Sequence, residues 1–188
     1  MGFRATKIMP MSEGTPSIDL SNQFLIAMPG MVDGNFAGTV VYLCEHNERG
    51  ALGLVINRPL DINLQHLFEK VDLTLDRDDM ASLPVYLGGP AQTERGFVLH
   101  DSLDEEGGHY SSSIKVPGGL EMTTSRDVLE ALSNGAGPRR IFMTLGYSGW
   151  GAGQLEDELS RNGWLNVKAD HQIIFDTPVE QRYDKALA

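Results

Sequence analysis

The strongest constraint on the fold is a pair of apolar runs, residues 39–44 and 51–56, separated by Glu45-His46-Asn47-Glu48-Arg49-Gly50. Both runs are rich in Val, Ile, Leu and Tyr, which suit a pleated, half-buried surface. The polar spacer closes on glycine and reads as a hairpin loop slightly longer than the tightest kind. A third apolar run, residues 24–27, precedes them and is stopped by Pro29-Gly30. The hairpin ends at Asn57-Arg58-Pro59, where proline drives Arg58 out of helical geometry and marks a sharp exit from the strand. An antiparallel hairpin at the centre of a sheet is the expectation.

The rest of the chain supplies further short strands and a few helices. Residues 1–22 mix Gly, Pro, Ser, Met and charges without a period and read as a mobile leader; residues 23–188 read as one domain. Residues 23–28 form the first strand, and residues 31–38, with Asp33-Gly34-Asn35, a loop. Asp61 or Asn63 caps a helix whose Leu64, Leu67, Phe68 and Val71 fall on one stripe. Residues 84–87 and 96–100 form a strand pair joined by residues 88–95, an acidic loop covers 101–109, and residues 110–116 are a strand. Thr124 caps a helix with Asp127 three residues on; Val128, Leu129 and Leu132 face inward and Gly135 ends it. Residues 141–145 are an apolar strand, 146–153 a glycine-rich turn, and a helix with Leu155 and Leu159 inside follows to Asn162. Residues 164–169 and 172–175 are the last strand material, and Thr177-Pro178-Val179-Glu180 opens a final helix. Hairpin connections with helices inserted late give an α+β fold: a mainly antiparallel, barrel-like β core with flanking helices.

Charge narrows the partners. The 188 residues carry 15 Lys+Arg against 26 Asp+Glu, a formal net charge of -11, and the basic residues are scattered. That balance opposes the phosphate contacts that dominate nucleic-acid binding. No apolar run is long enough to span a bilayer, so no membrane partner is expected. The single cysteine, Cys44, excludes an intramolecular disulfide and fits a reducing cytoplasm. Five histidines without i, i+4 pairing give no metal site, and no cofactor is indicated. Asp76-Arg77-Asp78-Asp79 lacks the glycine and distant glutamate of a calcium loop.

Candidate chemistry concentrates in two places. The segment from Gly146 to Gly153, with Gly149, Trp150 and Gly151, runs from a strand into a helix and presents backbone N–H groups to an anion; its alternative role is tight packing around Trp150. Its spacing matches no dinucleotide or P-loop pattern, and Glu156, Asp157 and Glu158 oppose a phosphate. Gly146-Tyr147-Ser148-Gly149 is a near miss for a nucleophile elbow, whose second glycine belongs where Trp150 stands. Arg58, next to Asn57, and Arg95, next to Thr93 and Glu94, each sit where an apolar strand meets a turn. Two such arginines can clamp a carboxylate or phosphate, or satisfy loop carbonyls and pair with Glu94. Cys44 and His46, two apart on one strand, share a face and form a conceivable thiolate–imidazole pair, set against a buried apolar role for Cys44.

Taken together, the LIAMPGM and GTVVYLCEH…GALGLVINRP stretches between Leu25 and Pro59, YLGGPAQTERGFVLH (86–100), EMTTSRD (121–127) and LGYSGWGAGQLE (145–156) closely resemble the YqgE/AlgH family of bacterial proteins. The resemblance covers nearly the whole chain. It implies an α+β domain with a barrel-like core, and a family name tied to transcriptional control of alginate production, but no catalytic residues. The expected function is a non-enzymatic cytoplasmic binding or regulatory module with a protein partner, any transcriptional role being indirect. The alternative is an enzyme or sensor for a small anionic ligand using Arg58, Arg95 and residues 146–153.

Overall fold

The computed structural model describes residues 19–29, 36–102 and 110–188. Residues 1–18 of the expected leader (1–22), 31–35 of the loop (31–38) and 103–109 of the acidic loop (101–109) lie outside the described residues, whereas Leu20 is buried and Asn22 is bonded to Tyr42 and His171.

Ten strands form one sheet. They are β1 (Gln23–Ala27), β2 (Val40–Asn47), β3 (Gly50–Val55), β4 (Pro59–Asn63), β5 (Pro84–Leu87), β6 (Ala91–Asp101), β7 (Ser113–Val116), β8 (Leu120–Thr123), β9 (Ile141–Gly151) and β10 (Trp164–Lys168). The helices are α1 (Leu64–Lys70), α2 (Asp127–Ser133), α3 (Gln154–Ser160), α4 (His171–Phe175) and α5 (Arg182–Leu187). Along the sheet the order is β10-β1-β2-β3-β9-β6-β8-β7, with β4 on β5 and β5 on β9. Among the described residues only the β5–β9 pairing is parallel. The fold is α+β, with a mainly antiparallel sheet that curls around its core.

The apolar runs are continuous because the central strands are buried on both faces. Inside the curl, Phe24, Ile26, Tyr42, Leu54, Phe97 and Phe142 pack together and meet Ile173 and Ile174 of α4 and Ala186 of α5. Outside, Leu25, Val41, Leu43 and Val55 lie under Leu155 of α3 beside Trp150 and Trp164. Further along, Val98, Ile141 and Met143 are covered by Leu64, Leu67 and Phe68 of α1 and by Val128 and Leu132 of α2. Burying each such side chain contributes about 1.5–3 kcal/mol. Arg182 ties the C-terminal helix to the sheet: Nε donates to the Thr177 carbonyl and Nη1 to that of Ile56, with the guanidinium over the Tyr86 and Phe142 rings.

The hairpin is central, with β1 and β9 flanking β2 and β3. Its connection is shorter than expected: Asn47 pairs with Gly50, leaving Glu48 and Arg49 as a two-residue turn. Asn47 Oδ1 accepts the Arg49 N–H (2.8 Å), which stabilises that turn. Pro59 does follow a sharp exit, but it also opens β4, where a missing N–H is tolerated at the first strand position. Asn63 caps α1 with a reciprocal bond to His66.

Three further readings are corrected, and one strand lies where no element was assigned. β6 starts at Ala91, so much of the expected 88–95 connection is strand. Residues 120–123 form β8, its Glu121 and Thr123 buried, which hides the usual polar alternation. The Asp127 carboxylate accepts from the Ser111 N–H and the Ser125 hydroxyl, so α2 starts after Arg126 without the Thr124 capping box. Residues 172–175 belong to α4, because Asp170 Oδ1 caps the Gln172 N–H (3.0 Å) and Ile173 and Ile174 turn inward together. A four-residue apolar run does not distinguish helix from strand by periodicity.

Candidate functional site

The glycine-rich segment after Leu145 is strand as far as Gly151, not a turn. It bends at Gly146, where φ is +79° and a Cβ would stand 2.6 Å from the Gly89 carbonyl oxygen and 3.0 Å from that of Ala91. Only glycine fits there. Opposite the bend, the register passes from Ala91↔Tyr147 to Gly96↔Leu145, so residues 92–95 form an excursion from β6. Before β6, Gly88 and Gly89 cross β9 in backbone contact: a Cβ on Gly89 would lie 2.3 Å from the Tyr147 carbonyl.

Beyond that crossing β9 pairs, among the described residues, with β3 alone, through Gly53↔Ser148, Leu52↔Gly149, Ala51↔Trp150 and Gly50↔Gly151. Gly151 donates its N–H to Gln154 Oε1 (2.9 Å). Strand alternation puts Gly149, two residues back, in the same phase, with its N–H and C=O on the edge away from β3. Along this edge lies an open groove of about 670 Å³. Half-buried Leu52 and Tyr147, exposed Gly149 and the exposed side chains of Glu45, Arg49 and Gln154 line it, and Pro90 borders it too. Trp150 also reaches the groove but is buried, stacked on Phe36 at 5.9 Å and edge-on to Trp164 at 5.8 Å. Both indole Nε1 atoms donate to one carboxylate oxygen of Glu158, at 3.0 and 2.8 Å. The groove therefore stands on a tightly held aromatic base.

Of the residues singled out from sequence, Gly149 and Trp150 line this groove. Gly146 sets the bend, Gly151 carries the edge, and Gly153 (φ +75°) is the left-handed residue before α3. Asn57 braces the backbone, accepting the Val40 N–H and donating to the Gly38 carbonyl, each at 3.0 Å. Arg58 Nη2 donates to the Ala37 carbonyl (2.9 Å), and its side chain borders a smaller cavity of about 80 Å³ with Leu87, Gly89 and Pro90. Thr93, Glu94 and Arg95 are exposed on the β6 excursion, where Arg95 Nη1 reaches Gln92 Oε1 at 3.4 Å, and they line neither space. Glu45, Arg49, Tyr147 and Gln154 were not singled out; only Tyr147 carried a signal, inside the Gly-Tyr-Ser-Gly motif.

The nucleophile candidates are committed to structure. Ser148 is buried and its hydroxyl donates to the Gly88 carbonyl (3.0 Å), pinning the strand crossing. Cys44 is buried, and desolvation, with Glu45 adding to it, pushes its thiol far above the ordinary range. A bulge falls at Cys44, between Leu43 and Glu45, and resets the alternation of β2. Cys44 therefore packs inside the curl, whereas His46 faces the outer layer, so the two do not pair. His46 Nδ1 accepts the Leu20 N–H (3.1 Å), which leaves the proton on Nε2 to donate to Glu156 (3.0 Å). Among the described residues no group of three or more His, Cys, Asp and Glu is placed to hold a metal ion. No helix among them is long and apolar enough to cross a membrane.

Residues 24–188 match the model of the AlgH-like family. A UPF0301 protein of Cupriavidus pinatubonensis is 66% identical over 177 residues, 94% of this chain and 91% of that protein. One from Paraburkholderia phytofirmans is 64% identical over 178 residues, covering 95% and 92%. The solution structure of the AlgH protein from Pseudomonas aeruginosa superposes with a TM-score of 0.76 at 50% identity, covering 92% of this chain and 89% of that one. A Corynebacterium diphtheriae protein shares the fold alone, with a TM-score of 0.69 at 17% identity over 91% and 87% of the two chains. The chain belongs to the AlgH-like family.

Proposed function

We propose that this protein is a non-enzymatic binding module of the cytoplasm, regulatory in role, that holds an extended segment of a protein partner along the β9 edge. The observation that carries this reading is the groove of about 670 Å³ beside Gly149. An added strand pairs its backbone with the N–H and C=O of Gly149, each bond adding about 0.5–1.5 kcal/mol net. The absent side chain at Gly149 permits that close approach. Tyr147 and Leu52 offer apolar contact, while Glu45 and Arg49 offer one charge of each sign for register. Paired opposite charges suit a peptide better than a phosphate. Any influence on transcription then runs through a protein contact, because a net charge of -11 opposes DNA.

A photoreactive residue in place of Arg49 tests this in cells. The expected result is crosslinking to a discrete protein that is lost when Gly149→Pro removes the edge N–H. Equal crosslinking from a photoreactive residue at Glu69, on α1, overturns the assignment. Turnover of a phosphatase or hydrolase substrate, abolished by one substitution at Arg58, Arg95 or Ser148, overturns the non-enzymatic part. Stabilisation against heat by a nucleotide or phosphosugar, absent in Arg58→Ala and Arg95→Ala, favours the small-anion alternative instead.

A further inference from the structure

Apart from the groove beside Gly149, an open hollow of about 490 Å³ lies between the end of β10 and the start of α4. Two cationic side chains and an imidazole reach it from three parts of the chain: Arg140 before β9, Lys168 at the end of β10 and His171 opening α4. Arg140 is held rigidly. Its Nη2 and Nε donate to Asp101 (2.7 and 3.2 Å) and its guanidinium lies 4.5 Å over the Phe175 ring. Those bonds use one edge of the fork and leave both Nη1 hydrogens without a partner among the described residues. Lys168 is exposed and has no ion pair or hydrogen bond through its ammonium among the described residues. Of the carboxylates nearby, Asp101 is engaged by Arg140 and Asp170 by the Gln172 N–H it caps, while exposed Asp176 adds its charge to the field at Arg140.

His171 is oriented from below. Burial raises the pKa of the Tyr42 phenol far above its ordinary value, so it stays protonated and donates to Asn22 Oδ1 (2.6 Å). The same oxygen accepts from His171 Nε2 (2.9 Å), so that ring nitrogen carries a proton. Nδ1 is left without a partner among the described residues. The Tyr42 ring stands edge-on to the imidazole at 6.1 Å. Burial and then the Arg140 charge hold His171 below the ordinary histidine range, against the pull of Asp101 and Asp170.

We infer that this hollow is a binding site for a small phosphate-bearing anion, held by Arg140 Nη1 and the Lys168 ammonium, with His171 Nδ1 taking up a proton as the anion enters. Donors arriving from three parts of the chain suit a tetrahedral oxyanion better than a planar carboxylate. A doubly charged group beside the imidazole reverses the field that Arg140 imposes on it. The site is separate from the β9 groove, so the two readings stand or fall independently.

The test follows the His171 ring by NMR between pH 5 and 8 in the full chain, with and without inorganic phosphate at constant ionic strength set by chloride. Saturating phosphate is expected to move the His171 midpoint up by about one pH unit, as a close opposite charge does. Lys168→Glu, at an exposed side chain without bonds, is expected to weaken phosphate about tenfold or more while leaving the melting temperature unchanged; Lys168→Gln replaces it should the charge reversal disturb folding. A midpoint that follows ionic strength alone, or an unchanged phosphate affinity in the Lys168 variants, overturns the site. An equal shift with acetate overturns its assignment to phosphate. Comparing inorganic phosphate with a nucleoside monophosphate then separates free phosphate from a phosphate ester as the occupant, the tighter of the two identifying the source.

Discussion

Over residues 141–145 β9 pairs with β6, and at Thr144 and Leu145 also with β5, and is largely buried; over residues 148–151 it has β3 on one side, and only alternate residues are buried. The first half is Ile, Phe, Met, Thr and Leu, with Phe142 stacked on Tyr86 at 4.3 Å. The second half is mostly Tyr, Ser and Gly, with one large buried side chain, Trp150. One strand thus serves as a core element at one end and as a presented edge at the other. Its buried stem fixes the position of its exposed tip, as sites on rigid elements require.

The comparison breaks most visibly at Trp150. Trp150→Ala removes the ring that stacks on Phe36 and leaves the Glu158 carboxylate with one indole donor instead of two. The expected loss is about 3–5 kcal/mol, a fall in melting temperature of about 10 °C or more. A loss below about 1 kcal/mol would show that the edge half is not anchored by this ring. Next comes Gly146→Ala, at the joint between the halves. Forcing alanine to φ +79° against the Gly89 carbonyl is expected to cost about 2–3 kcal/mol. Denaturant unfolding measures both.

Sequence legibility divides along the same line. The hairpin, the α1 cap at Asn63 and the strand at 141–145 were readable because apolar runs and capping residues act locally. The strand character of residues 147–151 was not. It depends on Gly88 and Gly89 crossing β9 and on β3 supplying a partner from about a hundred residues away, and a run of glycines carries no trace of either. Cys44 and His46 were placed on one face because alternation was assumed, whereas the bulge reverses it. Of the candidate residues, Gly149 and Trp150 were found through their motif. Glu45 and Arg49 reach the groove only through the geometry of the hairpin tip, which composition does not encode. Arg140, Lys168 and His171 meet from three parts of the chain in the same way.

The buried end of β9 also carries a pH dependence. His100, paired with Ile141, is buried; Nδ1 donates to the Asp101 carbonyl (2.7 Å) and Nε2 accepts from Thr123 Oγ1 (2.7 Å), which is itself bonded to Ser113. Burial, outweighing the Asp101 and Glu121 contributions, holds its pKa below the ordinary 6.5. The unfolded chain therefore takes up a proton near pH 6.5 that the folded chain refuses. Stability is full above that value and falls as the pH drops towards the folded pKa. His171 acts in the same direction. The depressed carboxylates of Asp101 and Asp127 act only below about pH 4, outside this window. Melting temperatures are expected to fall between pH 7 and pH 5, and less steeply in His100→Gln. An equal slope in that variant would assign the dependence elsewhere.

The smallest effect on stability is expected at Gly149, where it discriminates most. Its φ lies outside the left-handed region, it is exposed, and a Cβ there would meet only the Tyr147 ring edge, at 3.0 Å from Cε2. That ring is half-buried and can shift by the few tenths of an ångström required. The entropy alanine removes from the unfolded chain, about 0.4–1 kcal/mol, offsets the shift. Gly149→Ala is therefore expected to leave stability within about 0.5 kcal/mol of the parent, while Gly149→Pro, which removes the N–H that an added strand needs, blocks the edge. A cost at Gly149→Ala matching that at Gly146→Ala would mean that residues 147–151 are packed for the fold and not presented to a partner. A near-zero cost would leave a glycine whose missing side chain serves no packing need, and room for an added strand is then the remaining physical reason for it.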